Sequence, residues 1–256
     1  MRQIIRSILV LATAVTVSVC STACGGSTSK NINDYFSISV PEDCYQISSE
    51  DMDMALSMYS GMAGDGEQEL DLAKASPEML TELFGVKNLD ELKRLAVAEM
   101  TQHRIVEYIY EFILDDYSCS REDEAFCDHY LKDLHSLNQQ CASLMGISYE
   151  TYISEYCGMT VREYETSEKG KAKELCVMRH LLDAEGIRIN DKEIQDAYDE
   201  IAEDLEVTAE EVRAMYLPEE IEYSLAHTCT NDLLAQKYSD VIENASREQA
   251  AALGIA

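Results

Sequence analysis

Cysteine carries the most potential chemistry in this sequence, and its spacing limits what that chemistry can be. Nine cysteines are present, yet no Cys-x-x-Cys pair and no Cys/His cluster at zinc-ligand spacing occurs. Cys24 stands apart from the rest. Arg2 and Arg6 precede an apolar run from Ile8 to Val19, and the small residues Ser21, Thr22 and Ala23 lead into Cys24-Gly25-Gly26-Ser27. That order is the n-region, h-region and cleavage site of a secretory signal over residues 1–23, and its apolar run is too short to span a bilayer. Cys24 reads as the acylated new N-terminus of a bacterial lipoprotein, although Ser21 occupies the place where such signals usually carry Leu. Cys20, behind the bulkier Val19, suits the peptidase less well, and an ordinary secreted chain is the alternative. The remaining seven, Cys44, Cys119, Cys127, Cys141, Cys157, Cys176 and Cys229, are odd in number, which argues against a full disulfide framework. Most fall in helical patterns, where Cys serves as a small core hydrophobe, and one or two bridges stay open outside the cell.

The other reactive side chains form no catalytic constellation. His129 and His135 lie six apart and share a helix face poorly, while His103, His180 and His227 are isolated and read as structural histidines. No Ser or Cys has a base nearby in sequence. No enzyme, metal site or cofactor is therefore expected. The net charge of −29 excludes nucleic acid and anionic headgroups as partners, and it would attract basic, unfolded polypeptides. A plain solvated acidic surface accounts for the charge equally well.

Helices must position whatever does act. The chain is 46% hydrophobic with only 3 Pro and 11 Gly, and its Ala-, Leu-, Glu-, Lys- and Met-rich stretches favour helix. Boxes in which an N-cap side chain and a Glu or Gln three places on exchange backbone bonds occur at Asn88/Glu91, Thr160/Glu163, Asn190/Glu193, Thr208/Glu211 and Ser246/Gln249. Ser76-Pro77 adds an N-cap followed by Pro at the first helical position. The spacing predicts a long helix from Asn88 to about Asp115, with Leu89, Leu92, Leu95, Ala96, Ile105, Ile109, Phe112 and Ile113 on one face. A second runs from about Ser120 to Leu144 through Phe126, Tyr130, Leu134 and Leu137, and Gly146 stops it. Ser148 opens a short helix to Tyr156, and Thr160 caps a helix to about Ala184 that buries Leu175, Met178, Leu181 and Leu182. Asn190 starts a helix to Leu205, and Thr208 starts a short one to Tyr216. Pro218 opens a last long helix through Ile221, Leu225, Cys229, Leu233 and Val241. Only Tyr35 to Val40 alternates at all like a strand.

The order of these helices resembles the C-terminal domain of trigger factor, the ribosome-associated chaperone of bacteria. Leu83-Phe84-Gly85-Val86-Lys87-Asn88-Leu89-Asp90-Glu91-Leu92-Lys93 looks like the opening of that domain. Met145-Gly146-Ile147-Ser148-Tyr149-Glu150-Thr151-Tyr152, followed by Gly158-Met159-Thr160, looks like the hairpin of its first arm. Leu181-Leu182-Asp183-Ala184-Glu185-Gly186-Ile187 with Asn190-Asp191-Lys192-Glu193-Ile194 resembles the link to the second arm. Glu220-Ile221 through Val241-Ile242 resembles the returning helix. Asp34-Tyr35 and Ile47 to Asp53 look like the close of the family's first domain. The family's ribosome-docking Gly-Phe-Arg motif is absent, and about thirty residues before Leu83 leave no room for an FKBP-type prolyl isomerase domain.

The resemblance implies an all-α fold with two protruding helical arms. Residues 1–23 would be the signal peptide, 24–82 a tether and short N-terminal remnant, 83–246 the chaperone domain and 247–256 a C-terminal tail. It implies an ATP-independent holdase for unfolded or nascent exported polypeptides, anchored in the membrane through lipid on Cys24 at its extracytoplasmic face, with no ribosome or nucleic acid as partner. Apolar residues at the arm tips, Leu144, Met145, Ile147, Tyr149, Tyr152, Tyr156, Met215, Tyr216 and Leu217, would meet clients or else staple their own hairpins. Met52, Met54, Met58 and Met62 could add to such a surface, with ordinary packing the simpler expectation. The alternatives are an envelope adaptor for one specific partner and, more remotely, a prolyl isomerase.

Overall fold

The structure, a computed structural model, describes residues 32–63 and 70–255. The signal region and Cys24 lie outside the described residues. Every regular element among those residues is a helix, so the fold is all-α. Tyr35 to Val40 does not form a strand. Ile32–Ser37 is a 3-10 helix, and the extended residues after it meet no neighbouring strand.

The chain divides into two compact units. The first is built from residues 113–233 together with 32–34, the second from 35–112 and 234–255. Residues 83–246, expected as one domain, contribute to both. The helices of the second unit are α1 (Ser49–Ala63), α2 (Pro77–Phe84), most of α3 (Leu89–Asp116) and α10 (Ser239–Ala252). Those of the first are α4 (Arg121–Met145), α5 (Tyr149–Tyr152), α6 (Val161–Ala184), α7 (Asp191–Asp204), α8 (Ala209–Arg213) and most of α9 (Pro218–Lys237).

Local sequence sets most helix ends. Thr160, Asn190 and Thr208 each close a reciprocal box with the expected Glu, so two orphan donors per helix are satisfied. Asn88 accepts the Glu91 N–H at 2.9 Å, but the Glu91 carboxylate reaches past it to the Lys87 N–H at 2.7 Å. Ser120 and Asp123 form a further box with Asp in place of Glu. Ser246/Gln249 is not a helix start. It lies inside α10, where the Ser246 hydroxyl donates to the Ile242 carbonyl at 2.7 Å.

In the first unit α4 and α6 run antiparallel. Asp123 meets His180, Tyr130 meets Glu168 and Asn138 meets Tyr164, so the numbers fall on one helix as they rise on the other. Cys127, Tyr130, Leu134, Ala172 and Cys176 form their shared core, with Phe126, Leu131, Tyr164 and Leu217 against its edge. The second hairpin joins α7 and α8 to the start of α9 through Ala197, Tyr198, Ala202, Val212 and Ile221.

Both ends of the second unit are packed into it. Residues 35–47, expected as part of a remnant, are bonded in place. The Tyr238 hydroxyl accepts from the Ile38 N–H at 2.7 Å and donates to the Tyr35 carbonyl at 2.9 Å, and Gln249 accepts from the Ile47 N–H at 2.9 Å. Residues 247–252, expected in a tail, continue α10, and Ala250, Leu253 and Ile255 pack on Ile47, Met52, Ala96 and Val97. The last helix is also interrupted at Tyr238, whose backbone leaves the helical region. The long helix α3 buries Leu92, Ala96, Ile105, Ile109 and Ile113 as its period requires, together with Val97, Thr101 and Val106, whereas Phe112 is exposed.

Candidate functional site

The residues expected to meet clients fall on two separate turns of the first unit. Gly146, at φ +71°, takes the left-handed turn that ends α4, and Ile147 returns its N–H to the Ala142 carbonyl at 3.0 Å. This geometry leaves Leu144 pointing outward at 88% exposure, with Met145 at 49%. Ser148 then caps α5, and a turn of π-helix, Ile153–Cys157, carries the chain to Gly158. Met215 and Tyr216 follow α8 and are likewise exposed.

Other residues of the set are engaged within the hairpins. Tyr149 packs edge-on against His135 with ring centroids 4.4 Å apart, and Tyr152 stacks on Tyr156 at 5.1 Å. Ile147 is half-buried. Leu217 is half-buried against the α4–α6 core and is therefore core-edge packing rather than a free tip residue. The Tyr216 carbonyl accepts the buried Tyr198 hydroxyl at 3.0 Å. Leu144, Met145, Tyr156, Met215 and Tyr216 are thus the outward-facing members, Tyr156 at 59% exposure despite its stacking, and the α5 tyrosines Tyr149 and Tyr152 serve as internal staples.

A further apolar surface lies on α1 in the second unit. Met52 is buried at 7% exposure, but Met54, Met58 and Met62 are exposed at 62%, 63% and 71%. They recur every fourth residue and so lie along one face of the helix. The expectation of ordinary packing holds for Met52 alone. The face of α1 that carries Ala55, Leu56 and Tyr59 is the one that packs inward.

Beneath the first hairpin lies a set of polar groups that sequence spacing did not single out. Glu168, only 5% exposed, accepts from the Tyr130 hydroxyl at 3.1 Å and from the Lys171 ammonium at 2.7 Å. Glu220 accepts the Leu217 N–H at 2.8 Å, and burial beside Glu168 raises its carboxyl to about 7. Asp123 shows the opposite balance. Burial would raise it, but bonds from Tyr117, the Ser120 N–H and His180 outweigh burial and bring it to about 2. Arg179 clasps Glu222 with two bonds of 2.7 and 2.5 Å while lying over the Phe126 ring. Of these groups only Asp123 had a local signal, the serine three places before it.

A cleft of about 420 Å³ opens beside α7, lined by Asp191, Ile194, Gln195, Tyr198, Arg213 and Pro218. Within it Arg213 bonds Gln195 and stands over the Tyr198 ring. The histidines have structural partners. His103 faces Glu107, His129 faces Asp133, His180 meets Asp123, and His227 meets Asn231 at 3.2 Å. Among the described residues no group of three or more His, Cys, Asp or Glu is placed to hold a metal ion. None of the described helices is long and apolar enough to cross a membrane. Comparison of the chain with protein-family models, with curated proteins and with solved structures returned no match.

Proposed function

We propose that this chain is an ATP-independent holding chaperone, akin to the C-terminal client-binding domain of trigger factor, exported and anchored by lipid on Cys24. The observation that carries the reading is the outward-facing methionine and leucine set. Met54, Met58 and Met62 on α1, Met145 with Leu144 at the end of α4, and Met215 with Tyr216 after α8 all present apolar surface to solvent. Solvent-facing apolar groups gathered in clusters call for a partner. Methionine adapts to varied partners because it is unbranched and polarizable. The surrounding charge of −29 keeps such a surface soluble and favours basic, unfolded segments. Several weak patches on one chain act together through effective concentration.

The test uses two groups of substitutions, Met54, Met58 and Met62 to Ser, and Leu144, Met145, Met215 and Tyr216 to Ser. Thermal melting and suppression of client aggregation are measured on the same proteins. Retained melting with lost suppression is expected; unchanged suppression in both groups rejects the reading. An envelope adaptor for one partner is the rival, favoured by the regularity of the α1 stripe, and it predicts suppression confined to a single client. The anchor is tested separately. With two acyl chains at ~0.8 kcal/mol per buried CH₂, Cys24→Ala is expected to release the protein from the membrane fraction or block its processing.

A further inference from the structure

Two buried thiols face each other across the first hairpin. Cys127 on α4 and Cys176 on α6 are 2% and 3% exposed and belong to the same core cluster. Both are free thiols, close enough for each to shift the ionisation of the other. Register on either side holds them there, with Asp123 bonded to His180 at 3.0 Å on one side and Tyr130 to Glu168 at 3.1 Å on the other. Helix-to-helix bridging therefore needs an approach of two side chains within one core, and no sliding of one helix along the other.

We infer that Cys127 and Cys176 are joined by a disulfide that fastens α4 to α6 when the chain folds in the presence of an external disulfide. The oxidant is that disulfide, RSSR. One cysteine thiolate attacks a sulfur of RSSR, its S–S bond breaks, and RS⁻ leaves and takes up a proton. The second cysteine, as thiolate, attacks the mixed disulfide and displaces the second RS⁻. The two protein thiols give up two electrons and two protons, and RSSR becomes two RSH. Burial raises both thiols above the ordinary range, so the folded core exchanges slowly and the bond forms as the hairpin closes. Cys119 is the nearby competitor. It lies half-buried just before α4, where the Lys173 cation partly offsets the effect of its burial. It sits in a loop outside the paired helices, so it lacks the register that fixes the other two. That an oxidising disulfide is present in the cell rests on the export reading above, but the bond itself does not.

The experiment refolds the purified full chain in glutathione redox buffer, blocks free thiols with N-ethylmaleimide and maps the peptides by mass. The expected result is the loss of two alkylatable thiols and one linked peptide pair containing Cys127 and Cys176, both reversed by dithiothreitol. Cys119→Ser is expected to leave that pair unchanged. Retention of every thiol in the wild-type chain overturns the inference, as does a predominant link from Cys127 or Cys176 to any other cysteine. The wild-type map decides the matter even if Cys127→Ser fails to fold. A bridge without aggregation suppression would leave the inference standing while the chaperone reading fell.

Discussion

Asp123 is the residue at which helix capping and tertiary packing meet. It closes the box at the start of α4 and also receives the Tyr117 hydroxyl at 2.7 Å and His180 from α6. Its carboxyl moves from the ordinary 3.8 to about 2, and a depressed acid stabilises the fold above its unfolded value and loses that contribution as pH falls. Asp123→Asn is expected to cost about 2 kcal/mol at pH 7, with the gap to wild type narrowing between pH ~4 and ~2, as read by thermal melting. Glu220 works in the other sense. Burial, Glu168 and Glu219 raise it to about 7, against the Leu217 N–H and Lys171, while the Tyr130 and Tyr164 hydroxyls share its surroundings. From the ordinary carboxylate range up to about 7 the folded chain holds a proton that the unfolded chain has released, so stability falls as pH rises through that window. Glu220→Gln keeps an acceptor for the Leu217 N–H without the charge. It is expected to raise stability at pH 8 by ~1–3 kcal/mol and to change little at pH 4, measured by denaturant unfolding at both values.

At the scale of elements, two glycines separate backbone conformation from helix propensity. Gly146 ends α4 at φ +71°, where any other residue is strained, although its surroundings would leave room for a Cβ. Gly170 sits inside α6 in helical conformation, also with nothing near a Cβ. Gly146→Ala is therefore expected to destabilise by ~1 kcal/mol, and Gly170→Ala to stabilise by ~0.5–1 kcal/mol. Chemical denaturation of the two variants side by side checks both signs. If both destabilise, the assignment of Gly170 to an uninterrupted helical turn is wrong. The first hairpin owes its register to buried polar pairs as much as to its apolar stripe. An apolar face tolerates small shifts, whereas Tyr130–Glu168 and Asn138–Tyr164 each fit one alignment.

For the whole molecule, charge is the dominant global term. A net −29 on 256 residues repels itself in the compact state, and salt screens that repulsion. Raising ionic strength from ~0.01 to ~0.15 M shortens the screening length from ~30 to ~8 Å and is expected to raise the melting temperature. A melting temperature that falls with salt would mean that local ion pairs such as Arg179–Glu222 and Arg104–Asp51 outweigh the net repulsion. Under the proposed holding function the same screening weakens capture of basic clients, so suppression assays should be compared at matched salt.

By itself the sequence determined the helical class, most helix ends and the turns between helices, because caps, prolines and glycines act over three or four residues. Thr160/Glu163, Asn190/Glu193 and Thr208/Glu211 satisfy their own backbone donors whatever lies further away. It also marked Leu144 and Met145, since an apolar pair beside a helix-ending glycine has few neighbours to pack on. Tertiary structure decided what depends on distant partners. Gln249 looked like part of a cap but serves the Ile47 N–H about two hundred residues away, and the final helix broke at Tyr238, whose hydroxyl holds Tyr35 and Ile38. Spacing could not separate Met52, which faces a core, from Met54, Met58 and Met62, which face water, because which face of α1 is covered depends on α3 and α10. The meeting of Cys127 and Cys176 in one core, and of Glu168 and Glu220 in one buried polar set, was equally invisible, since burial and proximity across helices, and not local spacing, bring those groups together.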